Sequence, residues 1–171
     1  MMKIMIASDI HGSEKWAKRL AEEYEKSGAE KLVLLGDILY HGPRNSLTDG
    51  HNPQGVISIL NDLAEEIISV RGNCDAEVDQ MVLAFDIMED YECLKDGDRT
   101  LWFTHGHVYS VDYFPKAKEG DIIVQGHTHI PMDEERGGIR CVNPGSVSLP
   151  KGGSNHQCLI YEDGEFLTVN L

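Results

Sequence analysis

Five aliphatic runs in this chain end on the same kinds of residue. "KIMIAS" (3–8) leads into Asp9 and His11, "KLVLLG" (31–36) into Asp37, and "IISVRG" (67–72) into Asn73. The run closing at Thr104 leads into His105, and "DIIVQG" (121–126) into His127 and His129. Short β-branched runs bounded by polar residues or glycine predict buried strands. Between the first three runs, residues 13–27 and 53–66 carry apolar side chains at helical spacing. Gly28 stops the first helix, and Pro53 suits the first turn of the second. The order β-α-β-α-β favours a parallel sheet with right-handed crossovers.

The second half is richer in strands. After a short polar or helical piece at 76–83, strands are expected at 91–94, 100–104, 121–125, 138–143, 157–162 and 165–169, the last two joined at Asp163-Gly164, a two-residue hairpin signal. The expected class is α/β, with two stacked mixed β-sheets flanked by helices. At 171 residues with 41% hydrophobic content, one domain spanning 1–171 is expected, with no internal repeat or low-complexity linker.

Charge and cysteine usage narrow the function. A net charge of −14 repels phosphate backbones and anionic membranes, which argues against long nucleic acid as a partner. Cys74, Cys93, Cys141 and Cys158 form no CxxC pair, as expected for reduced thiols in a cytosol. The apolar stretch before Asp9 is too short for a signal peptide or a membrane span, so the expected location is the cytoplasm.

Residues i and i+2 of an extended chain point the same way, so His127 and His129 either share a metal or form a polar surface patch. Taken singly, each strand-end residue has an ordinary explanation: Asp37 as a cap, Asn73 as a turn residue, His11 as an exposed histidine. Together they imply one site, because in open α/β sheets the crevice lies beyond the carboxyl ends of the strands. Carboxylate, imidazole and amide oxygen without a cysteine cluster suit manganese, iron(II) or zinc rather than a closed structural zinc site. Seven candidate ligands exceed what one ion with an open position needs. Two ions fit better, with Asp37 as the shared carboxylate linking cations about 3.5 Å apart.

The motifs "DIH" at 9–11, "GD" at 36–37, "GNCD" at 72–75, "GH" at 106–107 and "GHTH" at 126–129 resemble the calcineurin-like metallophosphoesterase superfamily. "HGPRN" at 41–45 and "NPGSVSLPKGG" at 143–153 resemble its small YfcE-type phosphodiesterases. The resemblance implies a four-layer αββα sandwich. It also implies one ion held by Asp9, His11, Asp37 and His129, and a second by Asp37, Asn73, His105 and His127. The expected cofactors are two divalent ions, manganese first, with nickel, iron(II) or zinc as alternatives. The implied function is hydrolysis of small phosphodiesters: a water shared by the ions becomes a hydroxide and attacks phosphorus in line.

The wider superfamily commonly has histidine after "GN", where this chain has Cys74. A neutral thiol is a poorer partner for the leaving oxygen than imidazolium, so diesters with good leaving groups, or help from His41, Asp75 or water, are expected. The alternative for Cys74 is a small buried filler. The expected catalytic group is Asp37, Asn73, Cys74 and Asp75, with Asn73, Cys74, His41, Arg44 and His107 toward the substrate. Arg44 would take a non-bridging phosphate oxygen, or is simply an exposed loop arginine. His51 and His156 are read as surface residues, and "NPGS" as a tight turn that brings backbone toward the metals.

Two rivals stand beside this reading. The fold also serves a retromer subunit as a scaffold with weakened metal ligation, whereas here no ligand position is lost. Phosphomonoesterase activity differs only in groups beyond the reacting phosphorus. The expected partners are a small phosphodiester and, through the C-terminal hairpin or a helix face, a second copy of the chain.

Overall fold

Alternation along the first two strands sets the layers. In β1 (Lys3–Ala7), Met5 and Ala7 face one side, while Ile4 and Ile6 face the other. In β2 (Lys31–Leu34), Leu32 and Leu34 follow the first pair and Val33 the second. Both faces are therefore apolar, which a sheet covered on both sides requires. This is a computed structural model, and it describes residues 2–171.

On one face lie α1 (Glu14–Ser27), through Ala17, Leu20 and Tyr24, and α2 (Pro53–Asn61), through Val56 and Leu60. The Ser13 hydroxyl caps α1 by accepting from the Trp16 N–H, and Gly28 ends it at φ 68°. α2 stops at Asn61, five residues short of the expected end at Glu66. There the Asn61 side chain turns outward to donate to the Val82 carbonyl and accept from the Ala84 N–H, and a 3-10 turn at Ala64–Glu66 follows.

β3 (Ile67–Ser69) completes the parallel trio beside β2, and a short helix, α3 (Glu77–Gln80), follows. β9 (Gln157–Glu162) returns antiparallel to β1, and β10 (Glu165–Asn170) pairs with β9. Their connection holds Asp163 at φ 51° and Gly164 at φ 88°, as the two-residue hairpin requires. Among the described residues this sheet has five strands in the order β10-β9-β1-β2-β3.

The other face of that sheet meets a second one. It contains β4 (Tyr91–Asp96), β5 (Arg99–Thr104), β6 (Ile122–Gln125), β7 (Met132–Arg136) and β8 (Ile139–Asn143), ordered β4-β5-β6-β8-β7. Leu101, Phe103, Ile122, Val124 and Val142 interleave with Ile4, Ile6, Val33, Leu35 and Tyr161. Each fully buried aliphatic side chain of this layer contributes about 1.5–3 kcal/mol. Beyond the second sheet, the turn-rich segment 106–120 lays Phe114 against Trp102 and Tyr91, with ring centroids 5.3 and 5.8 Å away. β7 is a strand that the sequence reading omitted. "MDEER" is acidic and mostly exposed, and it pairs antiparallel at the sheet edge, where Arg140 and Asp133 form an ion pair across the two strands at 2.8 Å.

Candidate metal centre

Beyond the ends of β1 and β2 the backbone stays zipped. Asp9 N donates to Gly36 O at 3.1 Å, His11 N to Asp37 O at 2.9 Å, and Gly12 N to Ile38 O at 2.9 Å. These links fix the loops bearing Asp9, His11 and Asp37 side by side. On the second sheet, Gly126 N donates to His105 O at 3.0 Å, and His127 N reaches across the layers to Asp9 Oδ2 at 3.1 Å. Only glycine suits position 126, because a Cβ there would be driven into the Ser8 hydroxyl and lie 3.0 Å from Asp9 Oδ2.

The expected tight turn at 143–146 latches onto the end of β1. Gly145 N donates to Asn143 Oδ1, and the Ser146 and Ser148 hydroxyls donate to the Asp9 carbonyl at 2.9 and 3.0 Å.

Backbone conformation marks the same residues. Asp9, His11, Asp37, His127 and His129 have φ of 59°, 48°, 56°, 68° and 61°; the other left-handed non-glycine among the described residues is Asp163 of the hairpin. Such conformations cost about 1–3 kcal/mol each and persist where surrounding structure enforces them.

The side chains converge. His11 Nδ1 donates to Tyr40 O at 2.7 Å, His129 Nδ1 to Leu149 O at 2.7 Å, and His105 Nδ1 to Leu35 O at 2.6 Å. A carbonyl only accepts, so each Nδ1 carries a proton and each Nε2 turns inward. His11 Nε2 and His129 Nε2 lie 3.4 Å apart, and Asp9 Oδ1 is 3.5 and 3.2 Å from them. Asp37 Oδ2 lies between His11 Nε2 and His105 Nε2, at 3.6 and 3.5 Å, while its Oδ1 accepts from Cys74 N at 2.8 Å. His105 Nε2 meets Asn73 Oδ1 at 2.9 Å and His127 Nδ1 at 3.2 Å. All seven expected ligand residues thus meet at one place.

The electrostatics are those of a site built for cations. Burial alone would raise the Asp9 carboxyl, but the His11 and His129 imidazoles hold it well below the usual carboxylate range. Burial likewise opposes ionisation of Asp37, and His105 overcomes it. Burial would lower His105, yet the Asp37 carboxylate and the charge of Asp9 hold it at about 9. Asp9 Oδ1 is buried and receives no hydrogen bond. An orphaned carboxylate oxygen is costly, and two fully buried carboxylates facing inward-turned imidazole nitrogens fit divalent cations.

Other expected residues fall into place or out of it. The cleft above these groups, about 270 Å³, is lined by Arg44, Asn45, Asn73, Cys74, His127 and Lys151 among others. Burial, followed by the charge of Asp37, pushes the Cys74 thiol up to about 12, so it stays neutral.

Three of the expected residues are set apart from the cleft. Asp75, expected as a possible proton donor, is 3% exposed, and its oxygens accept from Asp37 N, Gly72 N and Ile38 N at 2.8, 2.7 and 2.9 Å. Burial raises its carboxyl against the pull of those donors, and its work is to clamp the Asp37 loop. His41 does not line the cleft, because its ring packs edge-on against Tyr40 and His51. His107 stands outside the lining too, its ring 5.3 Å from that of His105 and 6.5 Å from that of His127.

His51 and His156 are half-buried rather than surface residues. The Nδ1 of His51 lies 3.2 Å from Thr48 Oγ1, and His156 stacks on Trp16 at 3.7 Å. The sequence reading missed Lys151; its signal was its place within "NPGSVSLPKGG", eight residues after Asn143.

Residues 2–164 match the calcineurin-like phosphoesterase superfamily domain. The chain is 49% identical over 154 residues to phosphodiesterase YfcE of Escherichia coli, covering 90% of this chain and 84% of that one. The solved structure of that phosphoesterase superimposes with a TM-score of 0.92 at 46% identity, covering 95% of this chain and 89% of the other. A single mutant of Vps29 from Entamoeba histolytica, 18% identical, shares the fold at a TM-score of 0.60 over 99% of both chains. With 2–164 of its 171 residues matched by the superfamily domain and groups of aspartate and histidine that could hold a metal gathered at the strand ends, the chain belongs to the calcineurin-like phosphoesterase superfamily.

Proposed function

We propose that this chain is a metal-dependent phosphodiesterase that hydrolyses small phosphodiesters at a dinuclear centre, with manganese as the first choice of ion. The observation that carries the reading is the buried Asp9 Oδ1, which receives no hydrogen bond and faces imidazoles whose Nδ1 protons are committed to backbone carbonyls. Asp37 would be the shared carboxylate, a role supported by its Oδ2 lying between His11 and His105. Asp9, His11 and His129 would hold one ion, and Asn73, His105 and His127 the other. When bound, the ions supply Lewis-acid charge that activates a water and neutralises phosphoryl oxygens.

The remaining work falls to the chain's own groups. Cys74 N holds Asp37 Oδ1, and Asp75 holds the Asp37 backbone, so the shared carboxylate cannot swing. The neutral Cys74 thiol on the cleft wall is a weak donor, which favours diesters whose leaving group needs no proton. The whole chain acts as one domain, since β9 and β10 complete the sheet begun by β1. Four free cysteines accord with work in the cytoplasm, and among the described residues no helix is long and apolar enough to cross a membrane.

The test is hydrolysis of bis-nitrophenyl phosphate and nitrophenyl phosphate after chelation, adding back manganese, nickel, magnesium and zinc separately. The expected result is recovery with a transition ion and preference for the diester. Metal-independent turnover, or preference for the monoester, overturns the reading.

A further inference from the structure

Cations are scarce on this chain, with 15 lysines and arginines against 29 acids. Lys3, Lys15, Arg19, Lys26, Arg136 and Arg140 each pair with a carboxylate. Of the nine that pair with no carboxylate among the described residues, Arg44 and Lys151 are the two that line the cleft over the metal centre. Asp37 is the carboxylate residue among the lining groups; it lies at the floor, engaged by Cys74 N and facing His11 and His105.

The two cations come from different loops, and each backbone is held in place. Asn45 Nδ2 donates to the His41 carbonyl at 2.8 Å and closes the turn that carries Arg44. Lys151 N donates to the carbonyl of His129 at 3.1 Å, and Ser154 donates to the Lys151 carbonyl through N and Oγ, at 3.2 and 2.7 Å. Two cations without a carboxylate partner, on two loops that line one cleft, set positive charge beside this site in a protein whose net charge is −14.

We propose that Arg44 and Lys151 form a clamp for a second phosphate, so that this site prefers phosphodiesters carrying another phosphate on one ester arm. The proposal rests on the phosphodiesterase reading and names its substrate class. A guanidinium grips phosphate through two parallel N–H donors and an ammonium adds a point charge, and neither is needed by an uncharged ester arm.

The experiment compares a nucleoside nitrophenyl phosphate with its analogue bearing a second phosphate on the sugar, using manganese-loaded protein. In parallel, calorimetry measures binding of the corresponding nucleoside monophosphate and bisphosphate. The expected result is a KM about 10- to 100-fold lower for the doubly charged ester, with the bisphosphate binding tighter by a similar factor. Arg44→Ala and Lys151→Met should each shrink that ratio, and Arg44→Lys should recover part of it. Equal binding of monophosphate and bisphosphate, or a ratio untouched by both substitutions, overturns the clamp and leaves the diesterase reading intact. If neither ester is hydrolysed with any ion, the diesterase reading falls, and the calorimetry alone then decides whether the two cations bind a second phosphate.

Discussion

Two buried aspartates sit at opposite ends of the sandwich and behave in opposite ways. Asp121, just before β6, is 2% exposed; its oxygens accept from Thr100 N, Trp102 Nε1 and Lys118 N at 2.9, 3.1 and 3.1 Å. Asp9, just after β1, is 0% exposed, yet one oxygen has no donor and faces two imidazoles. The first shows what the chain does with a carboxylate when stability is the aim: both oxygens are met by N–H donors, one on Oδ1 and two on Oδ2. The second shows a carboxylate kept short of donors, which a fold tolerates where a cation is to be held.

The contrast breaks most visibly by substitution at the two positions. Asp9→Asn should lower diester hydrolysis by about a thousandfold and abolish the manganese-dependent rise in melting temperature. The variant should still fold, since asparagine accepts the left-handed φ of 59°. Asp121→Ala should do the reverse, costing about 3 kcal/mol in denaturant unfolding by stranding three donors while the folded fraction keeps its turnover. If the Asp121 variant loses activity before stability, the division of labour between the two ends is wrong.

A smaller effect comes from competition between protons and ions. In the metal-free protein His105 holds its second proton up to a pH of about 9, and an ion must displace it. Affinity for manganese, measured against a chromophoric chelator, should therefore rise about tenfold per pH unit until about 9 and then level off. The same raised pKa stabilises the metal-free fold. That contribution is fully present below an unfolded value of about 6.5 and is lost as pH climbs through about 9. An affinity flat in pH would remove His105 from the ion's surroundings.

The smallest expected effect concerns leaving groups. Cys74→His should narrow the preference for a nitrophenyl over an alkyl diester by about tenfold, because imidazolium can protonate an alkoxide where the neutral thiol cannot. Equal selectivity in both proteins would make Cys74 a filler.

Much of the metal-binding end is legible in the sequence, and the reason is local. A buried strand needs a run of aliphatic residues, a polar group directly after it projects from the strand end, and the hairpin at Asp163-Gly164 obeys the same short-range logic. What escaped depends on neighbours distant in sequence. Asp75 looks like any other site aspartate until its three backbone donors are seen. β7 carries no apolar alternation because an edge strand can be charged on both faces, and Lys151 acquires meaning only where its loop meets the one bearing Arg44. The early end of α2 is likewise set by partners some twenty residues away.

The left-handed corners at Asp9, His11, Asp37, His127 and His129 carry a consequence for descent. Glycine and asparagine settle into such corners at least as comfortably as the residues now there. The architecture can thus outlive its chemistry: a corner can lose its imidazole or carboxylate to asparagine or glycine while the backbone keeps its path.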